Sequence, residues 1–454
     1  MDAIEKRILQ IIDEKRDEII AFGDDIWSHA EVGFQEFRTA EKFADVMRKL
    51  GMEPRTGLAI TGVKSYLKPK QEGEVNVCLM GEMDALPIPN HPDAWCETGA
   101  AHACGHDAQL TGVMGAALAL ADPEVAKALG GNVTFFGVPC EEASAAGEAR
   151  AKLLEEGKLR FGSGKQELIY LGELDDVSIT VGHHIMEGQF SSGNSPSSGF
   201  IQKEVRFIGK AGHTATDNVA LRQFADAQQA AALTFHNIDA QREFLLEGQW
   251  MRIHGRMMNC PNASNIFADN ISMEFTARGK TPADMKDCAY RVHRAIKAAA
   301  IASGCGAEIV TTPGYMPVIP LVDDSVADTV FNLIDPSIPV VHWPKDRNGG
   351  TCDFGDVSCI MPVYQLYTNG VEGAGHSIDY HRVDKNMYYI NTAKMFALMA
   401  YELLKDNAAL AKKVIEDNKP IMTVDEYLKY QDSCRSVETI EREPVPDFSK
   451  FNVV

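Results

Sequence analysis

Residues 132–142 read NVTFFGVPCEE: a short strand-like run that ends in the turn-like Gly-Val-Pro-Cys and then delivers Glu141 and Glu142 side by side. Two other runs in the first 190 residues have the same form. VNVCLM at 75–80 leads into Glu82-Met83-Asp84, and VSITVGHH at 177–184 ends on His183-His184. Helical patterns lie between the runs, and that alternation predicts an α/β sheet. Polar groups that follow one strand after another are what a parallel sheet produces, since functional groups gather beyond the carboxyl ends of its strands.

Outward from these runs, SSGNSPSSG at 191–199 is a small-residue, Gly/Pro-punctuated stretch that reads as a linker and marks a domain boundary. Beyond it come strand KEVRFIG, helix LRQFADAQQAAALTF, strands WMRIHGRMM and NISMEFTAR, helix PADMKDCAYRVHRAIKAAAIA and strand AEIVTTP. This is the β-α-β-β-α-β order of a ferredoxin-like unit. After Pro313 the α/β pattern returns, so the second domain reads as inserted into the first. The expected boundaries are 1–194 and 314–454 for the two parts of a catalytic domain and 195–313 for the insert. The tail from about Thr423 mixes aromatic, acidic and proline positions without a clear period, reads as a wrapping or partly disordered segment, and is assigned no function.

A chain of 454 residues is long for one core, and its hydrophobic content of 45% is ordinary for a globular protein. Ile4, Ile8, Ile11 and Ile12 recur at helical spacing among charges, unlike the order of an export signal. No stretch approaches the roughly 18 apolar residues of a spanning helix. Ten scattered cysteines show no disulfide spacing, and the expectation is a soluble, cytoplasmic protein with free thiols. A formal charge of −20 argues against nucleic acid or anionic membrane as partner and favours small molecules.

The residues able to carry chemistry sit at the strand ends and in two loops. HACGHD at 102–107 places Cys104 and His106 two apart around a glycine that lets the backbone approach closely. Alone, such a pair is as readily a buried cysteine beside a satisfied histidine. Glu141-Glu142 divides naturally into a metal ligand and a proton carrier, although paired acids are usually solvated. His183-His184 and the His376 of GAGH at 373–376 add neutral nitrogen ligands. Together the clusters supply a thiolate, imidazoles and carboxylates enough for two divalent metals.

In this order the motifs resemble the metallopeptidase family of aminoacylases, carboxypeptidases and carnosinases, in its amidohydrolase, hippurate hydrolase-like branch. The resemblance covers roughly residues 25–400 and rests on WSHAEVGFQEFRTA at 27–40, GEMDALP at 81–87, HACGHDAQ at 102–109, GVPCEE at 137–142, GHH at 182–184, GKAGHTA at 209–215 and ASNIFAD at 263–269. GVPCEE and TCDFGDVS at 351–358 are most similar to the aminobenzoyl-glutamate hydrolase subgroup. The resemblance implies a metal-dependent exopeptidase-like α/β catalytic domain with an inserted ferredoxin-like lid and dimerisation domain. It also implies two metal ions, zinc or manganese, held by Cys104, His106, Glu142, His184 and His376, with Glu141 handling the proton. Asp84 would steady the metal shell. His213 would reach the partner subunit's site in a homodimer and hydrogen-bond the oxyanion, and Asn265 and Arg278 would clamp a substrate carboxylate. His183 rivals His184, but the Ile-Met that follows fits the family spacing for His184; His381 is a weaker rival to His376. Glu82 stands where the branch commonly has aspartate, Gln109 where it often has histidine, and Cys352 interrupts a threonine-aspartate motif.

The implied reaction is attack of metal-activated water on the amide of a small N-acyl amino acid or dipeptide, aminobenzoyl-glutamate among them, with the 191–199 linker allowing closure. Three rivals exist. A cysteine hydrolase with Cys104 as nucleophile and His106 as base leaves Glu142, His184 and His376 unexplained. A noncatalytic binding protein on the same fold does not need Glu141 beside five ligands, and neither does a structural zinc site closed by four.

Overall fold

The computed structural model describes residues 1–186, 188–193, 196–216, 223–244, 250–260, 263–319, 322–344 and 350–442. The chain divides into two compact units. One comprises Met1–Ser195, Ile319–Arg347 and Asp356–Val424; the other comprises Pro196–Val318, Asn348–Gly355 and Asp425–Val454. Of the 191–199 linker, residues 194 and 195 lie outside the described residues, as do residues 443–454 of the tail.

The first unit is built on an eight-stranded mixed sheet. Its order is Arg55–Leu58, Gly62–Tyr66, Asn132–Val138, Asn76–Glu82, Ile179–Ile185, Val363–Thr368, Phe190–Ser191 and Val340–Val341. The four central strands run parallel, with Glu82 opposite Val138, Val77 opposite Ile179 and His184 opposite Tyr367. The three runs predicted to be strands are therefore neighbours, and their polar sequels emerge at one edge of the sheet. Every residue of Asn76–Glu82 and Asn132–Val138 is buried, the condition under which parallel strands read as apolar runs rather than alternating ones.

Helix His106–Leu120 packs on the sheet with all but one residue buried, as expected of a helix that is apolar all round beyond its polar first turns. It lies against the first part of Asn391–Asp417, a helical segment broken at Lys405–Ala408. Gly112 and Gly115 permit that approach, because a Cβ there would meet Thr392 Cγ2 at 2.5 Å and Ala393 Cβ at 2.6 Å. The amino-terminal helix Ala3–Glu14 is capped by Asp2 and Glu5 in a reciprocal capping box and buries Ile8, Ile11 and Ile12.

The second unit has the element order read from the sequence: Gly199–Ile208, helix Ala227–Asp239, Met251–Met257, Asn270–Gly279, helix Pro282–Ser303 and Gly306–Pro313. All its sheet pairings are antiparallel, and the spatial order is Met251–Met257, Asn270–Gly279, Gly199–Ile208, Gly306–Pro313, Ser436–Ile440. The first four strands make the ferredoxin-like arrangement. The fifth comes from the tail, which folds as helix Val424–Ser433 and strand Ser436–Ile440. Sequence offers little sign of it, because a five-residue strand that is mostly exposed needs no apolar alternation; its pairing with Ala307–Thr311 supplies the order. Among the described residues, no helix is long and apolar enough to cross a membrane.

Candidate metal centre

Strand polarity assembles the site. Glu82 closes strand Asn76–Glu82, Glu141 and Glu142 follow strand Asn132–Val138, and His184 lies at the end of strand Ile179–Ile185. The fourth contributor is the amino end of helix His106–Leu120, reached through Gly105 in the left-handed region at φ 82°. A side chain at Gly105 would be strained there and would also strike Ile185 Cγ1 at 2.7 Å. Asp107 anchors the helix start by accepting from Tyr388 and Tyr389 hydroxyls at 2.8 and 2.7 Å.

Three groups of ligand atoms lie within 4.8 Å of one another: Cys104, His106 and His184; Cys104, Glu142 and His376; and Glu82, His106 and Glu141. Cys104 Sγ is 3.4 Å from His184 Nε2. His376 Nε2 is 3.0 Å from Glu142 Oε1. Asp84 braces two of these residues. Its carbonyl oxygen and Oδ1 lie 2.9 and 3.0 Å from His106 Nδ1, and its Oδ2 accepts from the Glu142 amide at 2.8 Å. With one proton kept on Nδ1, His106 can offer Nε2 as a lone pair once its other proton leaves. That atom is buried without an aligned hydrogen-bond partner, although Glu82 Oε2 is 3.0 Å and Glu141 Oε2 3.9 Å away.

The rival histidines separate by geometry. Successive strand residues point to opposite faces, so His184 meets Cys104 while His183 turns away, with Nε2 2.8 Å from Thr368 Oγ1 and accepting from the Thr368 amide at 3.2 Å. His381 stays exposed, 3.8 Å from Glu372.

The electrostatics are those of a cation site. Burial would push the Cys104 thiol up, but the imidazoles of His184 and His106 hold it well below the usual range. Hydrogen bonds to Cys104 and Glu142 push His376 up to about 10. Burial opposes charge on His106, yet Glu82, Cys104 and Asp84 raise it well above the ordinary imidazole value. Protons held this tightly supply the positive charge that a thiolate and converging carboxylates demand. A divalent cation, binding as those protons leave, fits the same donors. Soft sulfur with imidazole and carboxylate suits zinc and also admits manganese.

In the sequence Glu82 and Gln109 stand out only as departures from the family pattern. In the structure they touch: Gln109 Nε2 donates to Glu82 Oε2 at 2.6 Å, and the buried Lys165 ammonium lies 2.5 Å from Oε1. Nothing around Lys165 in GKQE marks it in the sequence. Although burial would raise the Glu82 carboxyl, Lys165 and His106 keep it well below the usual range. Lys165→Met should therefore cost about 3 kcal/mol or more by removing the ammonium that compensates a buried carboxylate. Denaturant midpoints would show it, with Glu82→Gln restoring part of the loss; a wild-type midpoint for Lys165→Met would remove the pair from the account.

The remaining candidates lie in the second unit. His213 and Asn265 are exposed neighbours, with Asn265 Nδ2 3.4 Å from His213 Nε2. Arg278, on strand Asn270–Gly279, is half-buried, donates to the Thr351 hydroxyl and stacks over Phe200 at 5.5 Å. Among the described residues no carboxylate pairs with it.

Residues 78–402 match peptidase family M20/M25/M40. The chain is 23% identical over 436 residues to the Xaa-Arg dipeptidase of Mus musculus, a match covering 90% of this chain and 91% of that protein. It is 23% identical to the N-acyl-L-amino acid amidohydrolase of Geobacillus stearothermophilus, covering 69% and 81%. A solved Bacillus subtilis structure, described as a dinuclear metal binding peptidase from the M20 family, shares the fold with a TM-score of 0.62 at 21% identity, covering 86% of this chain and 99% of that one. The chain belongs to peptidase family M20/M25/M40, and it is a metal-dependent hydrolase of amide bonds.

Proposed function

We propose that the protein cleaves the amide bond of a small N-acyl amino acid or dipeptide-like substrate, with aminobenzoyl-glutamate as a candidate. In this reading Cys104, His106, Glu142, His184 and His376 hold two divalent ions, zinc or manganese. The observation that carries it is the convergence of those five side chains within two overlapping ligand groups, with a further carboxylate, Glu141, adjoining. When bound, such ions lower the pKa of water from ~15.7 toward ~7 and polarise the scissile carbonyl.

The chain's own residues do the rest. Glu141 takes the proton of the attacking water and returns it to the departing nitrogen. Asp84 fixes the His106 tautomer and the Glu142 backbone together, which keeps the ligands oriented. His213 donates to the developing oxyanion, in the partner subunit's site of a homodimer. Asn265 and Arg278 clamp the substrate carboxylate; a half-buried guanidinium with no acidic partner among the described residues suits that task. Residues 195–313 serve as lid and dimerisation domain, and 1–194 with 314–454 as catalytic domain.

The proposed clamp and the relatives support this substrate class. One relative is named for dipeptides ending in arginine and the other for N-acyl-L-amino acids, and both substrate types carry a carboxylate beyond the amide to be cut. None of the ten cysteines, all among the described residues, is joined in a disulfide, in keeping with a reducing cytoplasm.

The test is metal content together with hydrolysis of a panel of N-acyl amino acids and dipeptides, including aminobenzoyl-glutamate and the carboxamide form of each substrate. Cleavage should stop on chelation, return with zinc or manganese, and fall by about 10-fold or more for carboxamides, which lose a charge-assisted bidentate contact. Chelator-resistant cleavage would favour Cys104 as nucleophile. Indifference to the carboxylate would remove Arg278 as the clamp.

A further inference from the structure

Three lysines are buried among the described residues. Two are paired in the usual way: Lys64 donates to Asp176 at 2.7 Å, and Lys165 to Glu82 at 2.5 Å. Lys203, 4% exposed on strand Gly199–Ile208, is different. No carboxylate of the described residues lies within the 4.0 Å ion-pair distance of it. Its Nζ donates to Thr311 Oγ1 at 2.7 Å and sits 3.5 Å from His293 Nδ1. A buried ammonium is ordinarily paired, because its lost hydration must be replaced.

Lys203 is not sealed in. It lines a cavity of about 300 Å³ whose walls also include helix Pro282–Ser303 and residues 433–438 of the tail. That volume is at the lower end of small-molecule sites. Lys286 lines the same space, as do the hydroxyls of Thr311, Ser433 and Ser436. The one carboxylate of the lining, Glu438, is already engaged, with Oε2 2.7 Å from His293 and Oε1 2.5 Å from Lys297. The cavity thus has two ammonium groups, a row of hydroxyls and no unengaged anion.

We propose that this cavity binds a small oxyanion, the carboxylate or phosphate of a molecule about the size of an amino acid, with Lys203 as its counter-ion and Thr311 and Ser436 as hydroxyl donors. Ser436 Oγ donates to Thr311 Oγ1 at 3.1 Å, so the two hydroxyls are already aligned as a pair beside the ammonium. The site exists only because the tail strand is laid along Gly306–Pro313, and an occupied cavity would tie that strand to the sheet. Burial pushes Lys203 down to about 8, which leaves it mostly charged at neutral pH and able to gain charge as an anion enters.

Acetate and orthophosphate are the probes, titrated by calorimetry into the metal-loaded protein, into Lys203→Met and into Thr311→Val. Wild type should show a saturable site for at least one of them, and the tighter probe assigns the carboxylate or phosphate class. Lys203→Met keeps the shape and removes the charge; it should weaken that site by about tenfold or more, the loss of one charge-assisted hydrogen bond. Thr311→Val retains the ammonium and should weaken the same site less, which keeps the test available if Lys203→Met folds poorly. Affinities unchanged in both variants, or no saturable site in wild type for either probe, would overturn the proposal.

Discussion

Replacing Glu141 by Gln is expected to lower turnover of any cleaved N-acyl amino acid by about 10²–10⁴-fold, the usual contribution of a positioned acid-base group, while metal content stays at the wild-type level. Gln keeps the size of the side chain but cannot accept the proton of the attacking water. Glu141 is buried and belongs to the carboxylate pair that follows strand Asn132–Val138. Its neighbour Glu142 is the one in contact with His376, and its amide is held by Asp84. Glu142→Gln should therefore lose metal along with activity, and the contrast between adjacent carboxylates separates their roles. Metal analysis of the purified variants beside steady-state rates makes the comparison. Loss of metal from Glu141→Gln would instead assign Glu141 to coordination, as the Glu82, His106 and Glu141 group permits, and would leave the proton carrier unassigned.

The convergence of the polar clusters is legible because each central strand hands its chain directly to one of them, and a parallel sheet collects such clusters at one edge. Family resemblance then ordered the clusters into a metal set. What stayed hidden is what depends on distant partners. Glu82 and Gln109 read as separate departures, yet they are bonded to each other, and the ammonium that compensates Glu82 belongs to Lys165, far along the chain. Nothing local to a buried ion pair announces it. The choice between His183 and His184 rested on spacing alone in the sequence. Strand alternation separates them in space, since one faces Cys104 and the other Thr368. The strand Ser436–Ile440 was missed for a related reason: its order comes from edge pairing with Gly306–Pro313 rather than from a buried face of its own.

Cys104→Ser is expected to leave the purified protein with little metal and with activity reduced by more than about 100-fold, a loss beyond the 10–100-fold typical of residues that only support ligands. The reason is that Cys104 belongs to two of the three ligand groups, one with His106 and His184 and one with Glu142 and His376. A hydroxyl in its place is a poorer donor to zinc than a thiolate already held well below its usual pKa by the neighbouring imidazoles. Two outcomes then distinguish a ligand from a nucleophile. A ligand variant recovers part of its activity when zinc or manganese is supplied in excess, because Glu142, His106, His184 and His376 remain to bind it. A nucleophile variant stays inactive at any metal concentration, and its parent survives chelation but not thiol alkylation. Rescue of Cys104→Ser by added metal, with chelation abolishing wild-type turnover, would place the thiolate in the metal shell; failure of both would return Cys104 to covalent chemistry and leave the converging histidines and carboxylates in need of another explanation.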